Sequence, residues 1–519
     1  MKYKISAKTF NGIEIKPEIE LFVTLGERNT ILPVGIYNKV LSNIQEDISF
    51  NVVSRDLENL KYQNIKVDYN SLIEVITKMI LELIPDTQDR IKNPKLLRSI
   101  ELYEDANIEQ SKLLFDEIDN TTLKKFDLDE YFLLSFKLLK EKTKDDFNEA
   151  RNLFKENPNK IKQIYFTYIK YLQNIRDEKE PKKLINEFEA KYPISILERD
   201  ELSFYYYLKG RGEYARGEFL LALKNLSLAI ENTDKEDEKQ LATIYNSATN
   251  SFTDNLFFDE AQQLASKALE LRDKLKLAET KDSLSLIGGI YFKSGKFKKA
   301  YEQFKKVDIN DSRSFNYLAK CSIMLDYNHK ANEYLEQSKT FQDDKKGFLV
   351  LYKFLLLFKE KQFDEVLELY KQTIMLPENK KSYDKFVLGW GFTLVARAYF
   401  EEKEYSNGVH NLFIGIDFFV EDRYILEAFY VSLYIYQYSL PINDIDRFYS
   451  LIDRYNLKQK FEEYVQKHKN ISKEYSDIFG IKKGETNNLK KFYKDTKEIN
   501  QENYNPDVVK DILDKFCLI

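Results

Sequence analysis

The sequence is poor in the residues that build disulfide frameworks, tight turns and flexible linkers. Cys321 and Cys517 are its only cysteines in 519 residues. Two distant cysteines make neither a disulfide framework nor a thiolate metal cage. Gly (16) and Pro (10) are scarce, which argues against an all-β chain with its many tight turns. A basic excess is also missing. Lys plus Arg (80) nearly balances Asp plus Glu (85), for a net charge of −5, and this argues against a nucleic-acid partner. Long apolar runs are absent: Gly347 to Phe358 and Phe386 to Phe400 are short and interrupted by Lys353 and Arg397, so neither spans a bilayer. Residues Met1 to Lys8 lack the apolar core of a signal peptide. The expectation is a cytoplasmic protein with no membrane partner.

What is present is a large apolar and charged content, 43% and 32%, as in a long chain with many solvated helical faces. Its length exceeds that of one compact core, so two or three domains or an elongated repeat array are expected. The stretch from Leu284 to Val307 shows why a repeat is preferred. Leu284, Ile287, Ile290 and Tyr291 recur at helical spacing; Gly295 interrupts; Phe297, Ala300, Tyr301, Phe304 and Val307 resume it. This predicts two amphipathic helices joined by a tight turn. Gly288 and Ala300 sit where the two helices cross, and a larger side chain there would push the hairpin apart.

This pattern resembles the tetratricopeptide repeat. That family places a small residue in helix A, Gly and an aromatic at the turn, and Ala, aromatic, Ala along helix B. Leu284 to Val307 departs from it only in Val307, which replaces the last Ala. Tyr206 to Ala229 matches through Gly210, Gly217, Phe219, Ala222 and Ala229, with Leu226 in place of the aromatic. Tyr245 to Ala268 keeps Phe258, Ala261, Ala265 and Ala268 but has Leu256 in place of the turn glycine. Weaker copies centre on Ala331, Val366 and Gly408, and Phe147, Ala150 and Phe154 suggest another helix B upstream. Successive spacings from Ala222 through Ala261, Ala300, Ala331 and Val366 to Gly408 are 39, 39, 31, 35 and 42 residues, mostly longer than the family's period of about 34. The resemblance covers roughly residues 96–420, most specifically 203–307. It implies a mainly α fold, a tetratricopeptide-like α-solenoid forming a right-handed superhelix of helical hairpins.

The flanks differ. In residues 1–90, Tyr3, Ile5 and Ala7 alternate with polar residues, Asn11-Gly12 supplies hairpin-turn residues, and Ile13 and Ile15 follow. Ile19 to Leu25 and Ile48 to Val53 also read as strands and Leu72 to Ile84 as a helix. A small N-terminal α+β domain is expected. Residues 421–519 form a C-terminal helical extension, or cap. Within it Lys482 to Asn500, with six Lys against three acids, reads as a solvated linker. Asn505-Pro506 starts a last amphipathic helix with Val508, Val509, Ile512, Leu513 and Phe516 on its apolar face.

Local signatures of chemistry are weak. Gly210-Arg211-Gly212-Glu213-Tyr214-Ala215 fits a dinucleotide fingerprint in letters. That motif needs a preceding strand and a helix N-terminus, and here it falls inside a repeat helix. Gly295-Lys296 lacks the upstream glycine of a phosphate loop. His329, His410 and His468 are far apart. No cofactor, metal site or catalytic residue is assigned; enzyme activity is left open only for residues 1–90.

The resemblance further implies that the first helices of the repeats line a concave face. Carried over by register, that face holds Arg211, Asn246, Asn250, Ser285, Asn316, Lys320 and Arg397. An Asn amide both donates to and accepts from a peptide unit; Arg and Lys hold carboxylates. Aromatics such as Tyr214, Phe292 and Phe358 read either as groove anchors or as interhelix core, with core favoured. The leading functional expectation is a non-catalytic scaffold or adaptor binding a protein or peptide in the groove, with a second partner at the N-terminal domain. The alternative is a peptide- or partner-gated regulator, of signalling or defence type, whose N-terminal domain is the output or an unrecognised effector. The oligomeric state is not set by the sequence.

Overall fold

A computed structural model describes the backbone of residues 2–10, 13–24, 30–31, 48–54 and 65–67. It also describes residues 91, 93–104, 107–174, 179–277, 279–307, 312–340, 347–438, 440–497, 499, 504–516 and 518. The chain divides into two compact units, Met1–Tyr171 and Leu172–Ile519.

In the first unit, strands β1 (Lys2–Phe10), β2 (Ile13–Thr24), β3 (Thr30–Ile31), β4 (Ile48–Ser54) and β5 (Ile65–Val67) form one sheet in the order β3-β1-β2-β4-β5. All pairings are antiparallel except β1 with β3. The β1–β2 register shifts between Ala7 and Thr9, opposite the stretch holding Pro17, which has no N–H to give to a ladder. β2 is one continuous strand where the alternation suggested two. The Asn11-Gly12 turn and the helix expected over Leu72–Ile84 lie outside the described residues. Helices α1 (Pro94–Glu104), α2 (Ile108–Asp116), α3 (Lys125–Leu138) and α4 (Lys144–Leu153) follow. Leu96, Phe115, Ile118, Leu134 and Leu138 form their core. Ser99 and Ser111 donate to each other's carbonyls, both at 2.7 Å, which draws α1 and α2 together. α4 starts on a Thr143–Asp146 capping box and buries Phe147, Ala150 and Phe154. α5 (Pro158–Asn174) contains the division between the units.

The second unit is a run of helical hairpins. After α6 (Glu180–Lys191) come the pairs α7 (Arg199–Ala215) with α8 (Phe219–Asn232), and α9 (Glu238–Asp254) with α10 (Phe258–Lys274). Next are α11 (Thr280–Lys293) with α12 (Phe297–Phe304), α13 (Ser312–Met324) with α14 (Asn328–Lys339), and α15 (Phe348–Lys359) with α16 (Phe363–Gln372). After the short α17 (Pro377–Ser382), α18 (Lys385–Glu401) pairs with α19 (Tyr405–Glu421). Helices pack within pairs and each of the first five pairs packs on the next, so this unit is a helical-repeat solenoid. The cause is periodic burial. Ala222, Leu223, Leu226 and Ala229 on α8, and Ala261, Leu264, Ala265 and Ala268 on α10, are all 0% exposed. The spacing i, i+3 or i+4, i+7 makes one apolar stripe per helix, which only the neighbouring hairpin can cover. Ala331, Val366 and Gly408 are buried on α14, α16 and α19, as the weaker copies require.

All six hairpins turn through a left-handed residue, namely Gly217, Leu256, Gly295, Asp326, Lys361 and Lys403. In each, the next N–H reaches back into the preceding helix, for example Lys296 N to Tyr291 O at 2.8 Å and Glu404 N to Tyr399 O at 2.8 Å. Leu256 therefore keeps the turn that glycine makes elsewhere, at φ 61°. Its buried side chain holds it in that conformation. Lys361 and Lys403 are exposed and have no such compensation. Either Lys361→Gly or Lys403→Gly is expected to raise stability by about 0.5–1 kcal/mol, the relief of the left-handed residue exceeding the added chain entropy. Urea midpoints check this; a drop in both would refute it.

Small residues mark the crossings. A Cβ on Gly288 would lie 2.6 Å from the Phe304 ring, and one on Gly210 2.8 Å from Leu226. α18 and α19 meet backbone to backbone, since a Cβ on Gly415 would lie 2.8 Å from Gly389 O. Beyond α19 come α20 (Ile425–Ser432), α21 (Ile442–Tyr455), α22 (Leu457–His468), α23 (Ile471–Tyr475), α24 (Asn488–Thr496) and α25 (Pro506–Lys515). This extension returns onto the early repeats: Arg423 pairs with Glu218, Phe479 packs on Phe252, and Tyr464 bonds Asn255. α25 begins at the expected Asn505 cap and buries Val509, Ile512, Leu513 and Phe516, while Val508 is exposed. The Tyr430 hydroxyl donates to Leu513 O, and Phe516 packs edge-on to Phe492. One expectation is corrected. The Lys-rich stretch after Lys482 is no solvated linker, because Lys482, Gly484 and Thr486 are bonded to α10 and α24 buries Leu489 and Phe492.

Candidate functional site

The two helices of a hairpin meet solvent differently. α9 has no exposed residue along its whole length, and α11 has only Lys281, near its start. α7 is exposed only at its ends, at Arg199, Asp200 and Ala215. Their partners present open faces: Leu221, Lys224 and Glu231 on α8, Ser266, Glu270, Asp273 and Lys274 on α10, and Lys298, Lys299 and Glu302 on α12. The first helices thus carry a half-shielded face, the surface assigned to ligand by the repeat register.

The residues expected there divide. Asn246, Asn250 and Ser285 are half-buried on α9 and α11. The Asn246 Oδ1 accepts from Ser283 Oγ at 3.1 Å, and that hydroxyl accepts from Arg272 Nη1 at 3.1 Å. Ser285 Oγ donates to Lys281 O within its own helix. The Asn250 side chain has no hydrogen-bond partner among the described residues. Gly289, one repeat beyond Asn250, faces open space: a Cβ there would meet nothing within 4 Å. Asn316 and Lys320 go the other way. Asn316 is 6% exposed and accepts from Ser338 Oγ at 3.1 Å, so it ties α13 to α14 instead of facing a groove. Lys320 is 9% exposed, with its ammonium 4.0 Å from the centre of the Phe292 ring.

The three expected carboxylate-binding cations do not form one cluster. Arg211 lies over Tyr207 and donates to Asn174 Oδ1 at 3.2 Å. Arg397 lies between Phe358 and Tyr434, 4.3 Å from each ring centre. Each cation rests on an aromatic face in its own neighbourhood, an attraction of about 0.5–2 kcal/mol. The aromatics named in the sequence are interhelix material: Phe292 is 0% exposed, Phe358 supports Arg397, and the Tyr214 hydroxyl donates to Asp254 Oδ2 at 2.6 Å.

That last bond belongs to a buried polar cluster that no sequence motif had marked. Tyr214, Asp254 and Lys293 stand near the ends of α7, α9 and α11, 40 and then 39 residues apart. Lys293 forms an ion pair with Asp254. Against them the C-terminal extension sets Glu427, which is 4% exposed, Tyr424 and Tyr464. The Tyr464 hydroxyl donates to Asn255 Oδ1 at 2.6 Å. Burial pushes the Glu427 carboxyl up to about 7; Lys293 opposes the rise and Asp254 adds to it. Burial also raises the Tyr214, Tyr424 and Tyr464 phenols, with the nearby carboxylates adding to it. Asp254 and Lys293 stand one 39-residue repeat apart, but Tyr214 is one residue out of that register and Glu427 is remote in sequence, so no periodicity marks the cluster.

No family model matches the chain, and no curated protein matches it. Among solved structures it is similar to a Rap protein complexed with competence and sporulation factor, at 12% identity over 81% of this chain and 98% of that one, with a TM-score of 0.37. It is similar to the apo form of RapI at 16% identity, over 71% and 98%, with a TM-score of 0.34. BtubC (BKLC) from P. vanneervenii is similar at 19% identity over 38% of this chain and 86% of that one, with a TM-score of 0.31. The helical-repeat fold rests on the hairpins themselves.

Among the described residues no group of three or more His, Cys, Asp and Glu is arranged to hold a metal ion. None of their helices is long and apolar enough to cross a membrane. Gly210 to Ala215, the dinucleotide-like stretch, is helical throughout. His468 is buried, stacked on Tyr464 and bonded through Nδ1 to Tyr464 O; burial lowers it to about 4.

Proposed function

We propose that the chain is a non-catalytic scaffold or adaptor that binds an extended protein segment along the first helices of its repeats. The observation that carries this reading is Asn250. Its amide is half-buried, has no hydrogen-bond partner among the described residues, and stands one repeat from the open space at Gly289. An amide with no protein partner is free to bond a peptide unit, which satisfies both its donor and its acceptor. We further propose that residues 1–90 recruit a second partner. Co-purification from the native cell with mass spectrometry identifies the groove partner. Gly289→Arg, which fills the open space, and Asn250→Ala should then each reduce its capture at least tenfold while leaving the thermal midpoint within about 2 °C. Undiminished capture by both variants removes this surface from the account.

A second reading, partner-gated regulation, is favoured by the buried cluster. Glu427 and Tyr464 join the C-terminal extension to the ends of successive first helices. A ligand that changes the spacing of those helices strains this cluster, which couples the groove to the C-terminal extension. Small-angle scattering with and without the identified partner segment tests it; identical profiles at saturation exclude gating.

A further inference from the structure

α23 ends in a turn in which Phe479 N and Ile481 N donate to Tyr475 O and Ser476 O, and from Ile481 to Asn487 the chain runs without regular structure along α10, which holds both parts by their main chain. Gln263 makes two reciprocal bonds to the main chain of one residue: Nε2 donates to Lys482 O at 2.8 Å, and Oε1 accepts from Lys482 N at 2.8 Å. One turn to either side, Lys267 Nζ donates to Phe479 O at 3.1 Å, and Glu260 Oε1 accepts from Gly484 N at 2.8 Å. Asp259 Oδ2 accepts from Thr486 N at 3.3 Å. Residues 259 or 260, 263 and 267 lie on one stripe of a helix, so the clamp is a continuous row along α10. It reads backbone, not side chains.

Only a few side-chain positions of the bound stretch are constrained. Phe479 is fully buried, edge-on to Phe252 with ring centres 6.0 Å apart. Ile481 is buried, and Gly480 has φ +59°. A Cβ on Gly484 would lie 2.6 Å from Glu260 Oε2 and 2.9 Å from Asp259 Cβ. Lys482, Lys483 and Glu485 point to solvent. The row therefore selects a chain that leaves a helical turn through a left-handed glycine, of the form aromatic-Gly-aliphatic-x-x-Gly. The seated segment is also an imperfect fit: Glu260 is 2% exposed and its Oε2 has no hydrogen-bond partner. A buried carboxylate oxygen without a donor weakens the seat, which makes the segment displaceable.

We propose that this face of α10 is a receptor site for a peptide main chain that leaves a helical turn, and that residues 479–486 fill it in cis as a removable ligand. A partner segment with the same aromatic-Gly-aliphatic-x-x-Gly pattern takes its place and releases the C-terminal extension from α10. The site lies on the second helix of its hairpin and does not depend on the reading of the first helices as a groove.

The test uses the full chain and a fluorescein-labelled peptide copying residues 476–487. Gly484→Val should unseat the segment, because the new side chain has no room beside Glu260. Lys482→Pro is the second variant; it removes the N–H that Gln263 accepts and sets a ring carbon against that Oε1. In each, amide exchange at residues 479–486 should accelerate at least tenfold, and the labelled peptide should bind at least tenfold tighter than to the unmodified chain. Adding Gln263→Ala and Lys267→Ala should cancel that gain, whereas Gly289→Arg should leave it unchanged. Two outcomes overturn the proposal: unaltered exchange in both variants, or an unseated segment with no gain in peptide affinity.

Discussion

Gly288→Ala is expected to lower stability by about 2 kcal/mol, while Gly289→Ala, one residue on, raises it by about 0.5–1 kcal/mol. Both glycines lie in α11, and both substitutions gain the same helix propensity. They differ in what the new methyl group meets. At Gly288 it would come within 2.6–2.8 Å of three atoms of the Phe304 ring. That ring is 2% exposed and stacked on Tyr317 with centres 4.7 Å apart, so it has nowhere to go. At Gly289 the methyl meets nothing within 4 Å, and only the propensity gain is felt. Urea unfolding of the two variants reads the difference directly. Equal changes, or the opposite order, would show that the first and second helices of this hairpin do not cross at Gly288.

The buried cluster gives the second large effect. Glu427 titrates near 4.5 in an unfolded chain and about 7 when folded. The folded state therefore binds its proton more tightly, and stability from this group is full below about pH 4.5 and is lost as pH rises through about 7. At 1.36 kcal/mol per unit the loss by pH 8 is about 2–4 kcal/mol. His468 has the opposite sign. Its folded value of about 4 lies below the ordinary 6.5, so its contribution grows as pH rises from 4 to 6.5. The two slopes oppose each other at mildly acidic pH, and Glu427 acts alone above about pH 6.5. Glu427→Gln keeps the shape without the charge. Its stability relative to the unmodified chain should grow by about 2–4 kcal/mol between pH 5 and pH 8. Parallel curves for the two proteins across that range would mean that Glu427 is not held in its neutral form. Lys293→Met probes the same cluster from its cationic side. It leaves Asp254 largely buried without its ion-pair partner, and should cost about 3 kcal/mol.

Much of the solenoid is written locally. Ala222, Ala261 and Ala300 announce closely packed second helices because a short-range steric demand, helix against helix, fixes the residue type at a fixed offset. Gly217 and Gly295 announce turns for the same kind of reason. Where the residue departs from the pattern, at Leu256, Asp326, Lys361 and Lys403, the turn persists with φ between 57° and 62°. Packing of the flanking helices outweighs the local cost there. Asn246, Asn250 and Ser285 fell on the half-shielded face because helical register carries over from repeat to repeat. Asn316 and Lys320 did not: Asn316 accepts from Ser338 on α14, and Lys320 lies over the Phe292 ring.

The sequence by itself determined the helices, their pairing into hairpins and the small residues at their crossings, because each follows from packing between residues a few turns apart. Tertiary structure alone decided what meets across more than a hundred residues: Gln263 with Lys482, Tyr464 with Asn255, and Glu427 with the ends of α9 and α11. No periodicity encodes those meetings. They arise because the C-terminal helices bury their apolar faces by returning onto the repeats, and the polar groups carried along must find partners where they land.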